Sequence, residues 1–222
     1  MKYVIILLVI TALLYTTKIK AQILVREEPR HHPVLQNKYI RLLDVWIPPG
    51  DTTLFHIHAT PSLFIELSNG VIGSQIKGAS WVNEKAIAGT TWYRSFIDDT
   101  LVHRVCNAGA KPFHVNDIEI LSSYDSNNVS QLNPLPFLLL YENEKAFAYQ
   151  INDTSFCNQV IKNRGPMIAE LISGNGVNFH DADSKKSIAI IADKYLYIEP
   201  GKSFYFSKDE TGEINMVLFE IK

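Results

Sequence analysis

Apolar positions in this chain fall in short strand-length runs, some of them alternating with polar residues. Residues 40–47 (IRLLDVWI), 63–67, 71–75, 90–96 and 113–121 are runs rich in β-branched and aromatic side chains. Pro49-Gly50, Asn69-Gly70 and Asn107-Ala108-Gly109 lie between them, and such clusters favour turns. The pattern resumes at 146–151, 167–172, 187–192, 195–198, 203–206 and 215–221. No stretch holds a convincing helical period, although 137–149 reads equally as helix or strand. Many short strands joined by turns predict an all-β sandwich or barrel.

The pattern breaks once. Residues 122–136 (SSYDSNNVSQLNPLP) are rich in Ser, Asn and Pro and read as a linker. Around it the two halves resemble each other. PSLFIELSNG, from Pro61 to Gly70, aligns with PMIAELISGN, from Pro166 to Asn175, at a constant offset of 105. Both segments open on Pro, run through an apolar strand and end in a Ser/Asn/Gly turn. Both halves also close on an alternating apolar strand, 113–121 and 215–221. These matches predict a duplication.

The chain begins with Lys2, an apolar run over residues 4–15 and a small residue at Ala21. That order reads as a secretory signal peptide over 1–21, because the run is too short to span a bilayer. The expected product is secreted or periplasmic and free of the membrane after cleavage. Of the chain's 222 residues, 21 are Lys or Arg and 23 are Asp or Glu. Removing 1–21, which holds three lysines and no acid, leaves 201 residues with a net charge of −5. A mildly acidic chain without a basic run is a poor partner for nucleic acid. Two cysteines, Cys106 and Cys157, are too few for a disulfide scaffold or a Cys-rich zinc module. Their pairing stays open.

Chemistry concentrates in Pro48-Pro49-Gly50 and the residues after it, ending in His56-Ile57-His58. An H-x-H pair on a strand places both imidazoles on one face. Two neutral imidazoles can hold one side of a metal ion but need a third ligand from elsewhere. His103, in LVHRVCN, is the best candidate. His31-His32, His114 and His180-Asp181-Ala182-Asp183 also carry ligand-type residues. We read the first pair as solvated, His114 as off the site and the last as a surface loop.

Gly50 followed by five residues and His56-x-His58 resembles the first motif of the cupin superfamily. His103-x-x-x-Asn107 resembles the end of its second motif. The resemblance implies two antiparallel cupin barrels in tandem, of the jelly-roll or double-stranded β-helix type. Residues 22–122 form the metal-binding domain, 123–136 the linker and 137–222 a degenerate cupin without metal ligands. At the offset of 105, Ile161 and Asn163 stand at the places of His56 and His58, and Phe204 follows a Pro-Gly turn at the place of the third histidine.

The chain departs from the family where a glutamate usually follows the second histidine. Ser62 and Leu63 occupy that window, and Glu66 is the nearest carboxylate and the candidate fourth ligand. If Leu63 took the ligand slot, Glu66 would face away. Thr100 stands where the second motif usually has a glycine. The expected site is therefore His56, His58 and His103 holding one divalent ion, with Fe, Mn, Ni and Zn all open. Such a site keeps the full metal charge and favours an anionic or chelating small molecule. Within 90–96 either Tyr93 or Arg94, not both, faces the barrel and can orient that molecule. Asn107 is expected to fix a turn or support a ligand. Two functions follow from the resemblance. One is a metal-dependent dioxygenase or isomerase acting on a small acidic or enol-type molecule. The other is a non-catalytic small-ligand or carbohydrate-binding cupin with a structural second barrel. A homodimer is a further expectation from the family.

Overall fold

The computed structural model describes residues 22–124, 133–152, 158–208 and 213–222. The signal-peptide reading over 1–21, most of the linker and Cys157 lie outside the described residues. All the strand runs read from the sequence form strands. The ambiguous stretch after residue 136 resolves into two, because Asn143 turns the chain: its Oδ1 accepts the N–H groups of Lys145 and Ala146.

The first half contains β1 (Ile23–Leu24), β2 (His31–Gln36), β3 (Ile40–Ile47), β4 (His56–His58) and β5 (Ser62–Glu66). It continues with β6 (Gly70–Ile76), β7 (Val82–Ala86), β8 (Thr91–Arg94), β9 (Leu101–Asn107) and β10 (Phe113–Ile120). These make two five-stranded sheets, ordered β1-β4-β9-β6-β7 and β2-β3-β10-β5-β8. Their inner faces meet around Val25, Leu43, Val45, Ile47, Ala86 and Phe113.

The second half contains β11 (Leu138–Glu142), β12 (Ala146–Ile151), β13 (Met167–Ser173) and β14 (Val177–Asp181). Then follow β15 (Lys186–Ala189), β16 (Tyr195–Ile198), β17 (Phe204–Lys208) and β18 (Asn215–Ile221). Its sheets run β11-β12-β18-β13-β16 and β15-β14-β17. This is the first half repeated strand for strand, less the counterparts of β1 and β4. The offset is 106 at β3/β12 and 105 at β5/β13 and β6/β14. It drops to 101 at β9/β17 and β10/β18, as the register shows: Phe64 faces Asp117 and Ala169 faces Leu218.

The halves join back to back. Alternation along β5 and β10 sends Leu63, Ile65, Ile118 and Ile120 away from the first barrel. They pack with Ile40 and Leu42 against Ala146, Ala148, Ile168, Val217, Phe219 and Ile221 of the second half. Within this apolar layer lies a fully buried carboxyl, Glu170, which accepts a hydrogen bond from Asn116 Nδ2 at 2.8 Å.

Candidate metal centre

The turn Pro48-Pro49-Gly50 sets the site's geometry. Gly50 takes φ +74°, which a side chain disfavours, and its N–H bonds Asn107 O at 2.9 Å. Asn107 N–H returns a bond to Asp51 O. The Asn107 side chain, fully buried, donates to Ile47 O and Lys111 O and accepts from Gly109 N–H. The turn-fixing role expected of Asn107 is thus observed. The lead into β4 is tied to the end of β9, and the two strands pair with His56 directly opposite His103.

Period two puts His56 and His58 on the inner face of β4 and leaves Ile57 outside. The three ring centroids lie 4.7 Å (His56–His103), 5.0 Å (His56–His58) and 5.0 Å (His58–His103) apart. One ligand nitrogen from each lies within 4.8 Å of the others. Each Nδ1 faces a different group. His56 Nδ1 meets Leu54 O at 2.9 Å, His103 Nδ1 lies 3.4 Å from Ser74 Oγ, and His58 Nδ1 lies 3.4 Å from Asp117 Oδ2. That leaves Nε2 of each ring for the centre. His56 Nε2 is buried without a partner, and the Nε2 atoms of His58 and His103 face each other at 3.1 Å.

Burial makes all three imidazoles resist protonation. Loss of solvent, followed by the charge of His31, pushes His56 down to about 3 and His103 to about 4. His58 falls well below its ordinary value for the same first reason, reinforced by His56. Neutral rings with converging lone pairs are what a divalent ion requires of histidine. The orphaned His56 Nε2, beside the His58 and His103 Nε2 atoms that share one hydrogen bond, fits such an ion, because an unpaired buried nitrogen is costly.

The cluster opens on a cavity of about 500 Å³ between the two sheets. Phe64, stacked on Trp92 at 5.0 Å, gives it an aromatic wall, and Phe96 stacks on His58 at 5.1 Å. Arg94 lines the cavity, with its guanidinium 4.9 Å from the Phe96 ring and bonded to exposed Asp99. Tyr93 points the other way, its hydroxyl donating to Glu144 Oε1. Of that pair only Arg94 faces the site. Leu63 belongs to the layer between the halves, so it takes no ligand slot. Glu66 does face the cavity, yet it is not in the three-histidine group, and its Oε2 accepts the Ile87 N–H at 2.7 Å.

Three residues were missed from the sequence. His31, read as solvated, is buried in the cavity wall, with its ring 4.7 Å from that of His56. Its Nδ1 bonds Glu28 Oε2 at 2.8 Å. Burial would raise Glu28, but His31 and the N–H groups of Arg30 and Leu54 hold it at about 2. Asp117 lies beneath His58, and its burial pushes the carboxyl well above the usual range. A signal for Asp117 existed: it shares the inward period-two face of Phe113 and Val115. His31 and Glu28 gave none, since they precede the patterned strands. His114 is off the site as expected, stacked on Trp46 and bonded to Asp44 Oδ1 at 2.6 Å. In the loop after His180, Asp181 Oδ1 caps the N–H groups of Asp183 and Ser184, as a surface turn does.

The second half repeats the geometry without the chemistry. Ile161 pairs with Phe204 as His56 pairs with His103, and both are buried in an apolar core. Asn163, at the place of His58, is exposed.

Fold and site together define a protein of paired antiparallel β-barrels with three histidines inside one of them. Solved structures of similar fold place it: the chain has the cupin fold. It aligns with the protein Ylba from E. coli at a TM-score of 0.61 and 10% identity, over 91% of this chain and 87% of that one. A cupin 2 conserved barrel domain protein from Leptotrichia buccalis gives 0.57 and 9%, over 86% and 88%. A salicylate 1,2-dioxygenase from Pseudoaminobacter salicylatoxidans gives 0.55 and 8%, over 82% and 71%. No protein-family model matches the sequence, and no curated protein sequence does.

Proposed function

We propose that this chain is an exported, single-metal cupin that binds a small acidic or enol-type molecule in its first barrel. The observation that carries the reading is the convergence of three neutral Nε2 atoms, each with its Nδ1 facing a group of its own. Residues 22–122 hold the site, 123–136 link and 137–222 support. A divalent ion held by His56, His58 and His103 would polarise an oxygen of the bound molecule and offer it open coordination positions. Arg94 pairs with that molecule's negative charge at the cavity edge. Phe64 and Trp92 shield it from water and favour a flat, unsaturated skeleton. Dioxygen chemistry or isomerisation then depends on the ion. Fe, Mn, Ni and Zn all suit an all-imidazole donor set.

The test is metal content of untagged protein, as purified and after reconstitution. One equivalent is expected, lost in His56→Ala and His103→Ala and kept in His32→Ala. Less than about a tenth of an equivalent in the unaltered protein after reconstitution overturns the reading. Oxygen uptake with small 2-hydroxy and 2-oxo acids separates an oxygenase from a protein that only binds.

A further inference from the structure

We propose that Asp117 is the positioning residue that fixes His58 as a metal ligand. The inference rests on the three-histidine reading above. His58 can offer Nε2 to an ion only if its proton sits on Nδ1. The other two rings face neutral groups, His56 the Leu54 carbonyl and His103 the Ser74 hydroxyl. His58 alone faces an acid: Asp117 Oδ2 lies 3.4 Å from its Nδ1, slightly beyond hydrogen-bond length.

Neither group has a better use. His58 Nδ1 and both Asp117 oxygens are buried without a well-formed hydrogen bond, and the Ser62 hydroxyl beside Asp117 donates to Thr60 O at 3.1 Å. A buried carboxyl without partners is expensive, so a fold keeps one where it serves a neighbour. A carboxylate behind a ligating histidine sets the ring's tautomer and direction and makes the ligand more basic.

The duplication gives an independent argument. The second half preserves the strands around this position and discards the acid. Leu218 faces Ala169 as Asp117 faces Phe64. Phe179 faces Phe206 as Ser74 faces Val105. Ile161 and Phe204 take the histidine positions. All four replacements lie in one apolar core. Asp117 is therefore dispensable to the barrel and goes with the histidines.

Nitrogen-15 NMR of the metal-free protein reads the His58 tautomer directly, and cobalt(II) titration reads affinity and ligand field. In the unaltered protein His58 is expected as the Nδ1–H form. Asp117→Leu is expected to mix the tautomers, alter the cobalt visible bands and weaken binding about 10- to 100-fold. Asp117→Asn retains an acceptor oxygen and should restore the tautomer and most of the affinity. An Nε2–H form of His58 in the unaltered protein overturns the proposal, as does wild-type cobalt affinity in a folded Asp117→Leu. The tautomer measurement decides even where a variant fails to fold. An unaltered protein that binds no cobalt sinks the metal reading instead, and the tautomer still decides the role of Asp117.

Discussion

Replacing Glu170 with Gln is expected to stabilise the protein, and increasingly so as the pH rises. Glu170 lies in the layer that joins the two halves and is fully buried. Desolvation, only partly offset by the Asn116 amide, pushes its carboxyl up to about 8 from an ordinary 4.5, with Asp44 and Asp193 adding to the rise. The unfolded chain gives up this proton near pH 4.5, while the folded chain keeps it to about pH 8. Wild-type stability therefore falls as pH rises across that window and levels off above it. Between pH 4.5 and pH 7 the loss is about 3 kcal/mol, at 1.36 kcal/mol for each unit. Gln at 170 does not titrate, keeps an oxygen for Asn116 Nδ2, and brings a donor to a site where Asn116 Oδ1 has no partner. Urea or thermal unfolding from pH 5 to 8.5 is the assay. Near pH 7 the variant should melt roughly 6–12 °C higher, and its advantage should shrink towards pH 5. Parallel pH profiles for the two proteins, or a less stable variant at pH 7, would refute the reasoning.

The metal-free site should make the protein acid-sensitive. His56 and His103 refuse protons until about pH 3 and 4, while the unfolded chain binds them below about 6.5. Stability should then fall as pH drops from 6.5 towards 4, with a limiting slope of about 1.4 kcal/mol per unit for each histidine. Urea midpoints would show this, and a His56→Gln/His103→Gln double variant should flatten the slope. Asn107→Ala removes three hydrogen bonds, one of them fully buried, from the turn that aligns β4 with β9. Its expected cost is about 2–4 kcal/mol in denaturant unfolding. Gly165→Ala would place a methyl 2.2 Å from Ile221 O, a backbone atom in the central strand β18. A loss of at least about 2 kcal/mol in the same assay is expected.

The strands were legible because short apolar runs of β-branched and aromatic residues end at Pro, Gly and Asn turn signals, even where both faces are buried. That covered 40–47 and 113–121, and period two gave the H-x-H pair its common face. Pairing His56 with His103 needed the family's motif spacing, because register across a gap of 47 residues leaves no local trace. Tyr93 and Arg94 could be told apart only by knowing which face of β8 looks inward. His31 was misread because a histidine ahead of the patterned strands looks solvated. It is the parallel pairing of β1 with β4, and the Glu28 carboxylate behind it, that draw this segment over the cavity. Asp117 was visible as an acid on an apolar face, but only its distance to His58 gives it a role.

The unequal halves follow from what a cavity costs. At four matched positions the first barrel holds His56, Ser74, His103 and Asp117, where the second holds Ile161, Phe179, Phe204 and Leu218. Burying an apolar side chain contributes about 1.5–3 kcal/mol, so the four together forgo roughly 6–12 kcal/mol. That is as large as the whole stability of a typical domain, about 5–15 kcal/mol. A lone barrel with this site and a cavity of about 500 Å³ would sit near the limit of folding. The second barrel offsets the deficit where it matters. β5 and β10 present Phe64, Glu66 and Asp117 to the cavity, while their outer faces carry Leu63, Ile65, Ile118 and Ile120. Those outer faces are buried against Ile168, Phe219 and Ile221. A half that has lost its ligands thus keeps a reason to persist: its packed layer holds rigid the strands that carry the site's most costly groups.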